Sequence, residues 1–161
     1  MGRVAFYTFG ILREERGHPQ VQGFFDRIDT VFAAAESSTG FIATYRNQIN
    51  SATFGPRFFV PGTHVRAPQT LSLWADLDSV FAFAYRGPHG ESLRVRKDWF
   101  VPPAWPTYAI WWVSDDEQPS WDDAPKRLEH LHDHGPTPHA FSFKTPFDAA
   151  GNPTRLAPRR A

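Results

Sequence analysis

Apolar residues recur along the chain at two periods. "RVAFYTFGIL" (3–12) is rich in β-branched and aromatic residues, "TLSLWA" (70–75) alternates polar and apolar, and with "FIATYR" (41–46), "TYAIWWV" (107–113) and "HAFSFKTPF" (139–147) these short runs have the pattern of strands. Between Val21 and Ala35 they fall at Val21, Phe24, Ile28, Val31 and Ala35, the stripe of an amphipathic helix. Pro19 near its first turn and Gly40 beyond its end frame that helix. Asp76 is placed to cap a second helix, "LDSVFAFAYR", which Gly87-Pro88 breaks. A third helix, "HGESLRVRKDWF" (89–100), follows, and Ser120 precedes a fourth, "WDDAPKRLEHLHDH" (121–134), stopped by Gly135-Pro136. Residues 47–68 have no regular period and read as an aromatic loop.

The expected order is therefore β α β β α α β α β. Helices mixed among short strands give an α+β fold, with an antiparallel sheet and its helices on one face. The pattern shows no repeat and no linker, so residues 1–150 form one domain and 151–161 a tail. In the 107–113 strand both alternating sets, Tyr108–Ile110–Trp112 and Ala109–Trp111–Val113, are apolar. Both faces of the sheet must then be covered, one by helices and the other by a dimer partner, a ligand or both.

Composition sharpens this picture in two ways. Aromatic residues make up 16% of the chain (15 Phe, six Trp, four Tyr), enough to build a core from rings and to line a pocket for a flat apolar ligand. There is no cysteine, which removes disulfides, thiolate metal sites and cysteine nucleophiles. Charge, by contrast, is neutral: 17 Lys plus Arg balance 17 Asp plus Glu. No overall field draws the chain to nucleic acid or an acidic membrane, and Arg159-Arg160 alone do not make such a site. No apolar run approaches the roughly 20 residues needed to span a bilayer. The start of the chain reads as a strand rather than a signal peptide, which suits a cytoplasmic protein.

No nucleotide-binding, nucleophile-elbow or zinc-protease motif is present, so candidate chemistry rests on individual side chains. His89 falls at a helix start, where the dipole disfavours an imidazolium and leaves a neutral base or ligand. His89, Leu93, Arg96 and Phe100 step by 4, 3 and 4 and share one face, which Leu93 and Phe100 mark as the inward one. Four of the seven histidines cluster in "HLHDHGPTPH" (130–139). Trp121, Ala124, Leu128 and Leu131 define the buried stripe of that helix. His132 lies about 40° from Leu128 and so turns inward, while His130 and His134 lie on the far side with Lys126. The His130/His134 pair is thus expected at the surface and not at a metal. Trp74, Tyr85, Phe81, Trp112 and Phe100 are candidate pocket walls, and Arg57, in the aromatic loop, is a candidate partner for a ligand carboxylate or enolate.

"TLSLWADLDSVFAFAYRGPHGESLR", "AIWWV", "PSWDDAPKRLEHLHDHGPTPHAFSF" and "FDAAGNP" resemble a family known as domain of unknown function 3291, over Val4 to Pro153. The resemblance implies a place in the dimeric α/β-barrel superfamily, which includes the antibiotic-biosynthesis monooxygenases. It implies a ferredoxin-like half-barrel that pairs with a second copy, and it does not imply a reaction. The expectation is a small homodimeric enzyme of secondary metabolism acting on a hydrophobic, aromatic or polyketide-like molecule. Its chemistry is cofactor-free acid–base chemistry leading to monooxygenation, cyclisation or isomerisation. His89 is the expected base, with His132 or Arg96 orienting the substrate or stabilising negative charge. The alternatives are a haem protein with His89 as axial ligand and a non-catalytic dimeric binding or stress protein.

Overall fold

The computed structural model describes residues 2–46, 55–58 and 66–157. Among these residues four strands form one antiparallel sheet: β1 (Arg3–Phe9), β2 (Phe41–Thr44), β3 (Gln69–Trp74) and β4 (Tyr108–Val113), in the order β2-β3-β1-β4. Four helices accompany them: α1 (Gln22–Glu36), α2 (Leu77–Tyr85), α3 (Gly87–Val95) and α4 (Ala124–His134). The α+β class is as the periodicities imply. β1 is central because its residues are apolar on both faces: Val4 pairs with Trp74 and Trp112, Ala5 with Leu73 and Trp111.

The two faces of the sheet carry separate cores. Val4, Phe6, Trp74 and Ile110 pack under Leu77, Val80 and Ala84 of α2, with Ala35 of α1. Ala5, Tyr7, Leu71, Leu73, Ala109 and Trp111 pack under Trp121 and under Ala124, Leu128 and Leu131 of α4. Helices therefore cover both faces, not one. The second apolar face is sealed by the chain's own α4, so the pattern in β4 does not call for a partner.

The expected last strand, 139–147, is reduced to isolated bridges at Ala140, Phe141 and Phe147, of which the one between Phe141 and Ile110 joins it to the sheet. Beyond the Phe141 N–H, which donates to the Ile110 carbonyl (2.9 Å), its donors go elsewhere: the Phe143 N–H donates to the Tyr108 hydroxyl (3.1 Å) and the Thr145 N–H to the Ser142 carbonyl (3.2 Å) in a turn before Pro146. The segment still packs its rings, Phe141, Phe143 and Phe147, into the α2-side core. Residues 151–157, set apart as a tail in the sequence reading, lie against this body. Leu156 packs on the same core and the Ala157 N–H donates to the Asp78 carboxylate (3.0 Å).

The helix entries follow local chemistry. The His18 Nδ1 accepts from the Gln20 N–H (3.1 Å) and starts a 3-10 turn, Pro19–Val21, that leads into α1. The Asp76 carboxylate accepts from the Ser79 N–H (2.8 Å) at the start of α2. Asp76→Ala is expected to lower unfolding stability by about 1 kcal/mol, read by urea denaturation, because it orphans that donor at an exposed helix end. α2 and α3 meet at a corner that only glycines permit. Gly87 has φ 56°, and a Cβ on Gly90 would lie 2.5 Å from the Tyr85 carbonyl oxygen. That corner sets the position of the intervening His89.

A candidate ligand cavity

α1 does not rest on the sheet over most of its length. Its stripe residues Phe24, Ile28, Val31 and Ala35 face a cavity of about 470 Å³ between the helices and the sheet. The opposite wall is Phe6, Thr8, Thr70, Ser72 and Tyr108 from the sheet, and α3 supplies the side. The space continues past the end of β1 to Trp105. The spacing that predicts a core stripe on α1 is thus correct, but the stripe lines space for a ligand instead of close-packed interior. Size and apolar lining are those of small-molecule sites.

The four residues placed on one face of the 89–100 helix, His89, Leu93, Arg96 and Phe100, all line this cavity. The helix itself is shorter, ending at Val95, with a 3-10 turn over Arg96–Asp98 that keeps Arg96 and Phe100 on the cavity side. His89 is half-buried, with its ring 4.9 Å from Phe83. Its Nδ1 lies 2.7 Å from the Ala84 carbonyl oxygen. A carbonyl can only accept, so Nδ1 carries the proton and Nε2 presents a lone pair. No hydrogen bond from the described residues reaches that Nε2. Burial lowers the imidazole pKa and the Ala84 hydrogen bond opposes the shift. The direction agrees with the sequence reading, but the leading cause is desolvation rather than the helix dipole.

Of the other candidates, Tyr85 lines the cavity, 38% exposed, beside Phe143. Phe81 stands behind it, against Tyr85 and Phe143, outside the lining. Trp74 is fully buried between Phe41 and Phe83, its indole N–H donating to the Ser72 hydroxyl (2.9 Å); it supports the wall without touching the space. Trp112 shares the α2-side face but lies at its far end, donating to the Phe147 carbonyl (2.7 Å). Trp111 takes the α4 side, under the Arg127 guanidinium.

Arg57 and His132 are placed away from the cavity altogether. The Arg57 guanidinium is held on α4 by both oxygens of Asp133, and its backbone N–H donates to Glu129 (2.7 Å). The arginine hydrogen bond lowers the Asp133 carboxyl to about 2, and the bidentate contact leaves the guanidinium occupied on α4. His132 is exposed, contacts Phe58 and lies 3.2 Å from the Asp133 carboxylate. The inward histidine of α4 is instead half-buried His130, whose Nδ1 is buried with no hydrogen-bond partner among the described residues and whose ring lies 4.4 Å from His134 and 4.6 Å from His139. The helical wheel measured angles from α4's own stripe. It could not include residues 135–139, which fold back over His130. Among the described residues no group of three His, Asp or Glu has the geometry to hold a metal ion, and no helix is long and apolar enough to cross a membrane.

Sequence reasoning missed the cavity's cations. Arg13, Arg27 and Lys97 line it together with Arg96, and no Asp or Glu does among the described residues. Arg27 was legible, since it follows Phe24 by three residues on the same helical face. Trp105 is a second omission; it stacks on Phe58 and its buried indole N–H has no partner among the described residues.

Residues 3–157 match the model of a family described as "Domain of unknown function (DUF3291)". No curated protein matches. Among solved structures, the chain is similar to NE2512, a protein of unknown function from Nitrosomonas europaea, at 12% identity and a TM-score of 0.48, over 74% of this chain and 97% of that one. It is also similar to PA3566 from Pseudomonas aeruginosa, at 8% identity and a TM-score of 0.46, over 73% and 97%.

Proposed function

The chain belongs to the domain of unknown function 3291 family, and from that premise we propose that it is a small enzyme that acts on a hydrophobic molecule in the α1–α3 cavity. The proposed chemistry is cofactor-free proton transfer by His89, with monooxygenation, cyclisation or isomerisation of an aromatic or polyketide-like substrate as the outcome in secondary metabolism. One observation carries this reading: a neutral imidazole, its Nδ1–H tied to the Ala84 carbonyl, presents an unpartnered Nε2 in an apolar cavity. Such an Nε2 takes a proton from an acidic C–H or O–H held against it. The aromatic walls exclude competing water, and Arg96, in the 3-10 turn just past the end of α3, orients the substrate.

The strand order β2-β3-β1-β4 supports a ferredoxin-like unit. If the protein is a homodimer, the contact lies outside the sheet face that α4 seals.

The cavity is tested with Nile red, a neutral dye that fluoresces in apolar surroundings. The protein is expected to take up the dye, and Val31→Trp, which fills the space from α1, is expected to weaken uptake at least tenfold. Equal uptake by the variant places the dye elsewhere and removes the cavity from the proposal.

The same free Nε2 also suits a haem axial ligand. Hemin titration separates the readings: a Soret band lost in His89→Ala favours haem, and the absence of any band removes it.

A further inference from the structure

The proposed function leaves the ligand's polar chemistry open, and the rim of the cavity speaks to it. Four cations line the space and no acid does among the described residues. They form one group around Trp99. Arg96 and Lys97 lie in the 3-10 turn immediately before it. Arg13 donates its backbone N–H to the Trp99 carbonyl (2.7 Å) and its Nε to the Lys97 carbonyl (3.0 Å). The Arg27 guanidinium lies 4.9 Å above the Trp99 ring.

None of the four is within salt-bridge distance of a carboxylate among the described residues. Arg27, Arg96 and Lys97 are exposed and Arg13 is half-buried, so the charges sit at the solvent end while rings fill the depth. A chain with equal numbers of acidic and basic residues has no general reason to collect four unpaired cations at one cavity mouth. His89 and Arg96 stand at opposite ends of α3, separated by seven residues, about 10 Å along the axis.

We propose that the cavity's ligand is an amphiphile with a single anionic head, a carboxylate or its equivalent. The head is seated among Arg13, Arg27, Arg96 and Lys97, and the apolar body runs along α3 so that the atoms about 10 Å from the charge meet His89. This rests on the cavity being the binding site. Guanidinium forks and an ammonium are the groups that hold carboxylates, and the nearby rings cover the first part of the tail. Arg96 then acts as a positioning residue. Two cations on a turn beside a cavity also set which end of the ligand enters first.

The test is displacement of Nile red by decanoate, decanol and decylammonium at neutral pH. Decanoate is expected to bind at least tenfold more tightly than decanol, with decylammonium weaker still, and to lose affinity as salt is raised. In the R96Q/K97Q double variant decanoate is expected to bind at least tenfold more weakly, since each lost charge-assisted hydrogen bond is worth about that factor. Nile red should bind that variant as it binds the parent, with an unchanged circular dichroism spectrum, because both residues are exposed.

If decanol competes as well as decanoate, or the double variant keeps full decanoate affinity, the anionic head is refuted while the cavity stands. If neither the dye nor decanoate binds the parent, the cavity reading fails and this proposal with it. Adsorption to phosphatidylglycerol vesicles that R96Q/K97Q abolishes, without displacement by decanoate, overturns the proposal in favour of a membrane-facing patch.

Discussion

Turnover of the cavity's substrate is expected to fall by about two to four orders of magnitude in His89→Asn, the usual contribution of a positioned general base. Asparagine is the informative choice. Its amide nitrogen lies near the position of Nδ1 and keeps a donor for the Ala84 carbonyl, but nothing replaces Nε2. Unchanged kcat in His89→Asn would remove His89 from the chemistry. Loss in His89→Ala with retention in His89→Asn would show that only the Ala84 hydrogen bond matters.

The pH profile supplies a second readout. Burial lowers the His89 pKa from its ordinary 6.5, so the base stays unprotonated below that value and the acid limb of kcat/KM falls below 6.5. Stability carries the same sign. The unfolded chain binds this proton more readily than the folded one, so the His89 contribution is intact above 6.5 and lost as pH falls through 6.5 towards the lower folded value. That part of the acid destabilisation should be missing in His89→Asn.

Leu128→Ala is expected to cost about 2–5 kcal/mol of unfolding stability, measured by urea or thermal denaturation. Leu128 is fully buried and belongs to the core that α4 forms with Trp111 and Trp121 on the sheet. The loss would be a large fraction of the roughly 5–15 kcal/mol that holds a domain together. A cost below about 1 kcal/mol would mean that α4 does not seal this face, and the case for a partner there would reopen.

The periodicities carried much of the element order and half of the site. The 3.6-residue period on α1 and the 89–93–96–100 face on α3 both identify residues that line the cavity, because helical spacing alone decides which side chains share a side. The two-sided apolarity of β4 correctly implies that both faces are covered. Other readings failed where a side chain's surroundings come from distant segments. Trp74 and Trp112 are apolar residues of suitable size, yet Phe41 with Phe83 and the Phe147 carbonyl claim them. Arg57 is claimed by Asp133, 76 residues away in the chain. The 139–147 run has strand composition, but past Phe141 one tyrosine hydroxyl and one turn take the Phe143 and Thr145 backbone donors.

By itself the sequence determined the α+β class, the stripes of α1 and α3, and the inward, neutral character of His89, all of which follow from local spacing and the chemistry of one residue type. The tertiary structure alone decided that α4 covers the second sheet face, that α1 stands off far enough to leave a cavity, and that His130 rather than His132 is enclosed. It also gathered Arg13, Arg27, Arg96 and Lys97 at one mouth from three separate segments. These are outcomes of which surfaces pack together, and packing depends on contacts between residues far apart in the chain, which no local period records.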